Sequence, residues 1–465
     1  MSNFPINRFP REVLAEIFWN CLPETDMKGP VQMSKKDAPL LVSSICSSWR
    51  ELALATPKLW TTVGIILEAD QDTDPSATAI QVVNTWLERS RTLPLKLHLA
   101  ELSDEPDDDD SAMSITNPTL SQSILFAFYP HSSRWQDVSL SLYGIQSLML
   151  PRLDAPILRS FHLSGPSQET SHFPFRNSSR LTELSWPSSI DVSMNPHIPW
   201  SQVSYLKLSN GMSLFSVSET IRLCSQLEEF WVGCSALGGV ANLPRKPTKV
   251  KNGRLRTLEL HFNGDIGPLL HSLTLPALEQ LVCYAENDEA SMVPIPDLRF
   301  ESLRDFLTRS GCKLKKLMLG ECNFTADELL ACLEHEASET IQDLTIEGLP
   351  KLTDDVLLRL AHPPYPTAAR ILLPKLTHLT LKHCLHASPG TLGDMVYSRY
   401  HPETGEVAKL EFFALSVHDL NSEDLTIIED LTADGLGTNI SIMSRDFRVE
   451  IEFFPPLPVL PNNLH

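Results

Sequence analysis

Positive charge is scarce in this sequence of 465 residues: 38 lysines and arginines stand against 58 aspartates and glutamates, a formal charge of −20. So acidic a chain has no general grip on nucleic acid or an anionic lipid surface, because both require a basic face. Long apolar runs are missing as well. Nothing approaches the roughly 20 apolar residues of a membrane span, and Met1 to Asn20 holds no basic stretch leading into an apolar core. The expectation is a soluble protein of the cytoplasm or nucleus, with no membrane and no nucleic-acid partner. The nine cysteines are odd in number and scattered, without a C-x-x-C pair. Neither a disulfide framework nor a zinc knuckle is indicated, and free thiols in a reducing compartment are the simpler reading.

Catalytic signatures are also absent. His335-Glu336 is followed by Glu339 where a zincin helix needs its second histidine, Gly233 to Gly239 lacks a phosphate-loop lysine, and no Gly-x-Ser-x-Gly elbow occurs. The stretch Leu376 to His386, LTHLTLKHCLH, tempts as a metal cluster. Yet His378 falls on the opposite face from Leu379 and Leu381, and no second ligand pair follows. No catalytic residue, metal or cofactor is assigned, and the chain is expected not to be an enzyme.

What is present begins at Phe9 with FPREVLAEIFWNCL. Pro10 suits a first helical position, and Val13, Leu14, Ile17, Phe18 and Cys21 gather at helical spacing into a wide apolar face. After a Pro- and Gly-bearing loop, APLLVSSICSSWRELA repeats the helical period through Val42, Ile45, Cys46, Trp49 and Ala53, until Thr56-Pro57 stops it. Helices this short cannot bury so much apolar surface among themselves, so part of it should meet a partner.

These residues, with Leu41, Arg50, Leu52 and the trailing Pro57-x-Leu59-Trp60, closely resemble the F-box motif, in the form abundant in fungi. Phe9 stands where that family usually has leucine. The resemblance implies that Pro10, Val13, Leu14, Ile17, Phe18, Val42, Cys46 and Trp49 form the surface, or its support, for a Skp-type adaptor and through it a cullin. Which of them are surface and which are core stays open at this point.

Beyond residue 60 an apolar-x-x-apolar-x-apolar unit recurs along nearly the whole chain, from Trp60-x-x-Val63-x-Ile65 to Leu410-x-x-Phe413-x-Leu415. Starts at Trp135, Leu158, Leu181, Val203 and Leu227 are separated by 23, 23, 22 and 24 residues by subtraction, within the period of leucine-rich repeats. Each unit supplies one short strand whose alternate residues point inward, and no unit is stable alone. Later units lengthen to admit helices over Thr325 to Glu336 and Thr353 to Ala361. Asn263, Cys322 and Cys384 follow three of the strands where the family's Asn or Cys packs under the turn. The expected fold is α/β: a small helical F-box over residues 1–62, a leucine-rich-repeat solenoid of curved parallel sheet with a helical or irregular outer face over 63–455, and a Pro-rich tail over 456–465. The acidic run from Asp104 to Asp110 reads as a solvated loop.

Residues flanking the inward leucines should face the concave side. Tyr205, Lys207, Glu229, Trp231, Glu259, His261, Tyr284, Lys316, Met318, His378, Lys382 and Phe412 are the candidate contacts for an unknown target protein, since half-exposed aromatics among mixed charges are what protein-binding faces carry. The resemblance implies the substrate-recognition subunit of a ubiquitin ligase. The alternative is a repeat scaffold that takes no part in ubiquitination.

Overall fold

The recurring apolar pairs become, in the computed structural model of the chain, a succession of short parallel strands. The structure describes residues 9–23, 35–67, 76–101, 118–142, 150–165, 173–188, 190, 195–235, 246–286, 298–348, 351–363, 370–402, 405–418, 420–443 and 448–451. The acidic run at 104–110 and the tail at 456–465 lie outside them. The chain divides into two units, Met1–Asn210 and Gly211–His465.

The first unit opens with three helices, α1 (Arg11–Asn20), α2 (Leu40–Ile45) and α3 (Ser47–Ala55). There follow β1 (Thr62–Leu67), α4 (Ser76–Arg89), β2 (Leu95–Glu101), α5 (Pro118–Phe128), β3 (Trp135–Ser141), β4 (Leu153–Asp154), β5 (Ser160–Ser164), β6 (Phe175–Asn177), β7 (Glu183–Trp186) and β8 (Tyr205–Ser213). Strands β1, β2, β3, β5, β7 and β8 pair in parallel in that order, and β4 with β6 form a separate short parallel pair.

In the second unit, α6 (Leu214–Leu223) leads to β9 (Glu229–Ser235), β10 (Val250–Lys251), β11 (Thr257–Asn263), α7 (Gly267–Ser272), β12 (Leu273–Thr274), β13 (Gln280–Ala285) and α8 (Phe300–Ser310). Then come β14 (Lys316–Gly320), α9 (Ala326–Glu334), β15 (Asp343–Glu347), α10 (Asp354–Leu360), β16 (His378–Lys382), α11 (Thr391–Tyr400), β17 (Phe412–Val417), α12 (Ser422–Ala433), β18 (Gly437–Met443) and β19 (Arg448–Ile451). Parallel pairing runs β9–β11–β13–β14–β15–β16–β17–β18, and β19 turns back antiparallel to β18. Helices α6 to α12 each touch the next in the chain. Both units are therefore α/β with mostly parallel sheet and helical returns, a solenoid-like arrangement.

The register explains why the apolar spacing recurs. Leu258, Leu281, Leu317, Leu344, Leu379 and Phe413 lie side by side on successive strands, as do Leu260, Cys283, Leu319, Ile346, Leu381 and Leu415. All are buried. Each contributes about 1.5–3 kcal/mol of apolar transfer, available only when a neighbouring rung covers it. The return helices start where local chemistry starts them. Thr325 and Glu328 close a capping box ahead of α9, which satisfies two end-of-helix N–H groups at once.

Cys322 and Cys384 occupy equivalent turn positions. Each buried thiol donates to the carbonyl of an inward residue on the preceding strand, Cys283 and Ile346 respectively, at 3.5 Å. Asn263 does not join them: it stays half-buried at the end of its strand, opposite Ser235. One helical expectation changes: Pro10 sits just before the first helical residue of α1 rather than inside it. The helical period over Ala38 to Ala53 is divided at Cys46, whose backbone is extended and whose thiol lies 3.2 Å from the Ser48 hydroxyl. Serines on both sides of Cys46 compete for backbone hydrogen bonds and make the interruption cheap.

Candidate functional site

Two surfaces stand out, one in each unit. In the first, α1 and α3 clasp each other through Phe18, which is fully buried with its ring 4.9 Å from that of Trp49. Leu14, one turn earlier on the same face, is buried too, and Val42 is the buried member of α2. Of the residues left open between surface and core, Leu14, Phe18 and Val42 are thus the interior of the helical segment. Residues spaced four apart share a helix face, so Leu14 and Phe18 go inward together. Val13 points away and stays 42% exposed, while Ile17 is half-buried at the border.

The same division occurs in α2 and α3. Leu41 and Ile45, four apart, face out at 43% and 58% exposure, and Leu54 is exposed beside buried Leu52 and Ala53. Together with Phe9, these residues form most of the large exposed apolar side chains among the described residues; only Phe126 and Tyr397 lie elsewhere. Of the other adaptor candidates, Pro10 is exposed, and Cys46 and Trp49 are half-buried. Phe9, Leu41, Ile45 and Leu54 were not among the candidates, although all are apolar within the helical pattern. Periodicity marks a stripe as apolar without saying which edge of it turns inward.

The segment is held from below. The indole of Trp60 donates to the Ala53 carbonyl at 2.8 Å, and the Lys58 ammonium rests 4.1 Å above the Trp19 ring and 3.4 Å from Glu16. Lys58 is half-exposed, so its pair with Glu16 contributes little by itself, about 0–1 kcal/mol.

In the second unit the face opposite the leucines forms three rows across the strands. One runs Glu229, Thr257, Gln280, Lys316, Asp343, His378 and Phe412. The middle row holds Trp231, Glu259, Val282, Met318, Thr345 and Thr380. The third holds Gly233, His261, Tyr284, Gly320, Glu347 and Lys382. The candidate residues of this unit thus share one face, half-buried except for exposed His378. Tyr205 and Lys207 lie on β8 in the first unit, where the Tyr205 ring packs 5.6 Å from His162.

Electrostatics tie the third row together. His261 lies 2.6 Å from Glu259 and 3.7 Å from Glu286, and hydrogen bonds to these two carboxylates raise its pKa to about 9. Its ring centroid is 5.5 Å from that of Tyr284. The Tyr284 hydroxyl donates to Glu347 at 3.5 Å, and Glu347 pairs with Lys382 at 3.3 Å. Lys316 pairs with Asp343 at 2.9 Å. Beyond the row, burial and the charge of Glu347 push the Glu321 carboxyl above its ordinary range.

The sheet face of the first unit differs. Gly64, His98, Ser139, His162 and Ser185 are neighbours across its strands, mostly small and with little apolar platform.

The histidine-rich stretch stays dispersed. Burial pushes the Cys384 thiol up to about 12, while His378 and His386 are exposed. No group of three or more His, Cys, Asp or Glu placed to hold a metal ion occurs among the described residues. The buried thiols of Cys224, Cys234, Cys322 and Cys332 are likewise pushed up to about 12 by desolvation, so they are not activated nucleophiles. No helix among the described residues is long and apolar enough to cross a membrane. A scan against protein-family models finds no match, and a search of curated proteins finds none either.

Proposed function

We propose that the chain is an F-box protein with leucine-rich repeats: the non-catalytic substrate-recognition subunit of an SCF-type ubiquitin ligase. Its first helices dock on a Skp-type adaptor and thereby on a cullin, and the sheet face opposite the leucines holds a target protein. The supporting observation is that exposed Phe9, Val13, Leu41, Ile45 and Leu54 all fall on or just before the opening helices. Isolated exposed apolar residues are ordinary, whereas a cluster of them marks an interaction surface. The work of such a subunit is proximity. Holding a target beside a ubiquitin-charged enzyme raises effective concentration without any chemistry in this chain.

The test uses surface residues. Val13→Glu with Ile45→Glu places two charges in the proposed interface while leaving Leu14, Phe18 and Val42 in their core, so adaptor and cullin should no longer copurify with the chain although it melts as the parent does. Undiminished copurification would refute the docking assignment. Loss of adaptor and cullin on deleting residues 1–60 separates a ligase subunit from a repeat scaffold.

A further inference from the structure

On the second unit's sheet face, negative charge exceeds positive. Lys316 is matched by Asp343 and Lys382 by Glu347, but His261 is shared between Glu259 and Glu286. Glu229 has no ion pair among the described residues, and Glu321 feels only the more distant charge of Lys351. With Lys351 beside Glu321, two carboxylates are left over: one of the two on His261, together with Glu229. Burial and repulsion from Glu347 outweigh the relief that Lys351 gives Glu321, so a further cation nearby would still be favoured there.

The acids border an apolar strip. Val282 and Met318 are register neighbours in the middle row, with Tyr284 beside them in the third. Glycine at position 320 lets the Tyr284 ring lie over β14, because a Cβ there would come within 2.3 Å of it. An apolar bed ending at carboxylates suits a side chain with an aliphatic stem and a cationic head. A neutral segment would leave the surplus charge unanswered, and an acidic one would be repelled.

We propose that this face receives a basic, extended stretch of protein, whose lysine or arginine stems lie on Met318 and Tyr284 and whose charges meet Glu286 and Glu321. The proposal rests on the reading of this face as the target-binding wall and names the chemistry of the target.

The experiment uses the full chain, without adaptor, and a short labelled peptide of alternating lysine and alanine. Carbodiimide coupling should join the peptide to Glu286 and Glu321 ahead of the carboxylates of the return helices. Glu286→Gln with Glu321→Gln should weaken binding about tenfold, whereas Glu301→Gln with Glu429→Gln, an equal change of charge on α8 and α12, should weaken it less than about twofold. Equal losses from the two pairs, or coupling spread over the helices, would overturn the proposal, as would absence of measurable binding. Because the adaptor is left out, failure here leaves adaptor docking untouched. Conversely, loss of docking in the Val13→Glu/Ile45→Glu chain is read separately from its affinity for this peptide.

Discussion

The ring of Tyr284 lies across Gly320 on the neighbouring strand, where a Cβ would approach within 2.3 Å, and this brings its hydroxyl 3.5 Å from Glu347 one strand further on. A methyl group at position 320 must therefore push the phenol off the sheet. Gly320→Ala is expected to cost about 1–3 kcal/mol, the range of core overpacking, measured by urea unfolding. Tyr284→Ala in the same background should recover part of that loss. If Gly320→Ala is neutral, the ring does not rest where the structure has it.

Burial separates the helical residues by mutational cost. Phe18→Ala empties a fully buried site against Trp49 and should destabilise by about 3–5 kcal/mol. Val13→Ala and Ile45→Ala, both on exposed positions, should stay within about 0.5 kcal/mol. Denaturant titration followed by tryptophan emission measures both. Similar costs at Phe18 and Val13 would overturn the division into interior and exterior.

Two histidines should titrate stability in opposite directions. His261, with its pKa raised to about 9, is stabilised in its charged form. Its contribution is full below the unfolded value of about 6.5 and is lost as pH rises from there towards 9. His261→Gln should flatten that decline in melting temperature.

His98 is buried at 4% exposure, neither ring nitrogen has a hydrogen-bond partner among the described residues, and desolvation lowers its pKa. It favours the neutral form, so its contribution is present above about 6.5 and falls as acid protonates the unfolded chain first. His98→Leu should raise stability by about 1 kcal/mol, since an unsatisfied polar group is removed, and should lessen the acid sensitivity. A drop in stability at neutral pH would show that the imidazole does have a partner.

Arg399 is buried, and no carboxylate among the described residues pairs with it. Its guanidinium donates to the carbonyls of Leu360, Leu372 and Leu373, and desolvation lowers its pKa to about 10. Arg399→Met should cost about 3 kcal/mol because the Leu360 and Leu372 carbonyls lose their donor, while Leu373 keeps the Leu376 N–H. Arg399→Lys should restore only part, since one ammonium cannot reproduce the planar fork. Equilibrium unfolding of the two variants tests both statements.

The strand ladder was readable from residue order wherever both inward positions are large and apolar. It was missed at β18, where Thr438 takes the place that Phe413 fills on the neighbouring strand, so the rung does not look like one. The capping box at Thr325 and Glu328 was equally local and equally readable, because its partners are three residues apart. The break at Cys46 was hidden inside an uninterrupted helical period: spacing records which residues are apolar and says nothing of a backbone that turns out between two short helices.

Linear order, through its two-residue period, specified most strands and the rows of leucines they bury, and through the helical period two of the return helices, because these depend on neighbours a few positions away. Only packing decided that Leu14 and Phe18 turn inward while Val13 and Ile45 remain outside, and only strand register set Tyr284 over Gly320 and Glu347 between Tyr284 and Lys382. Those partners are tens of residues apart along the chain, and what brings them together is the burial of every intervening rung.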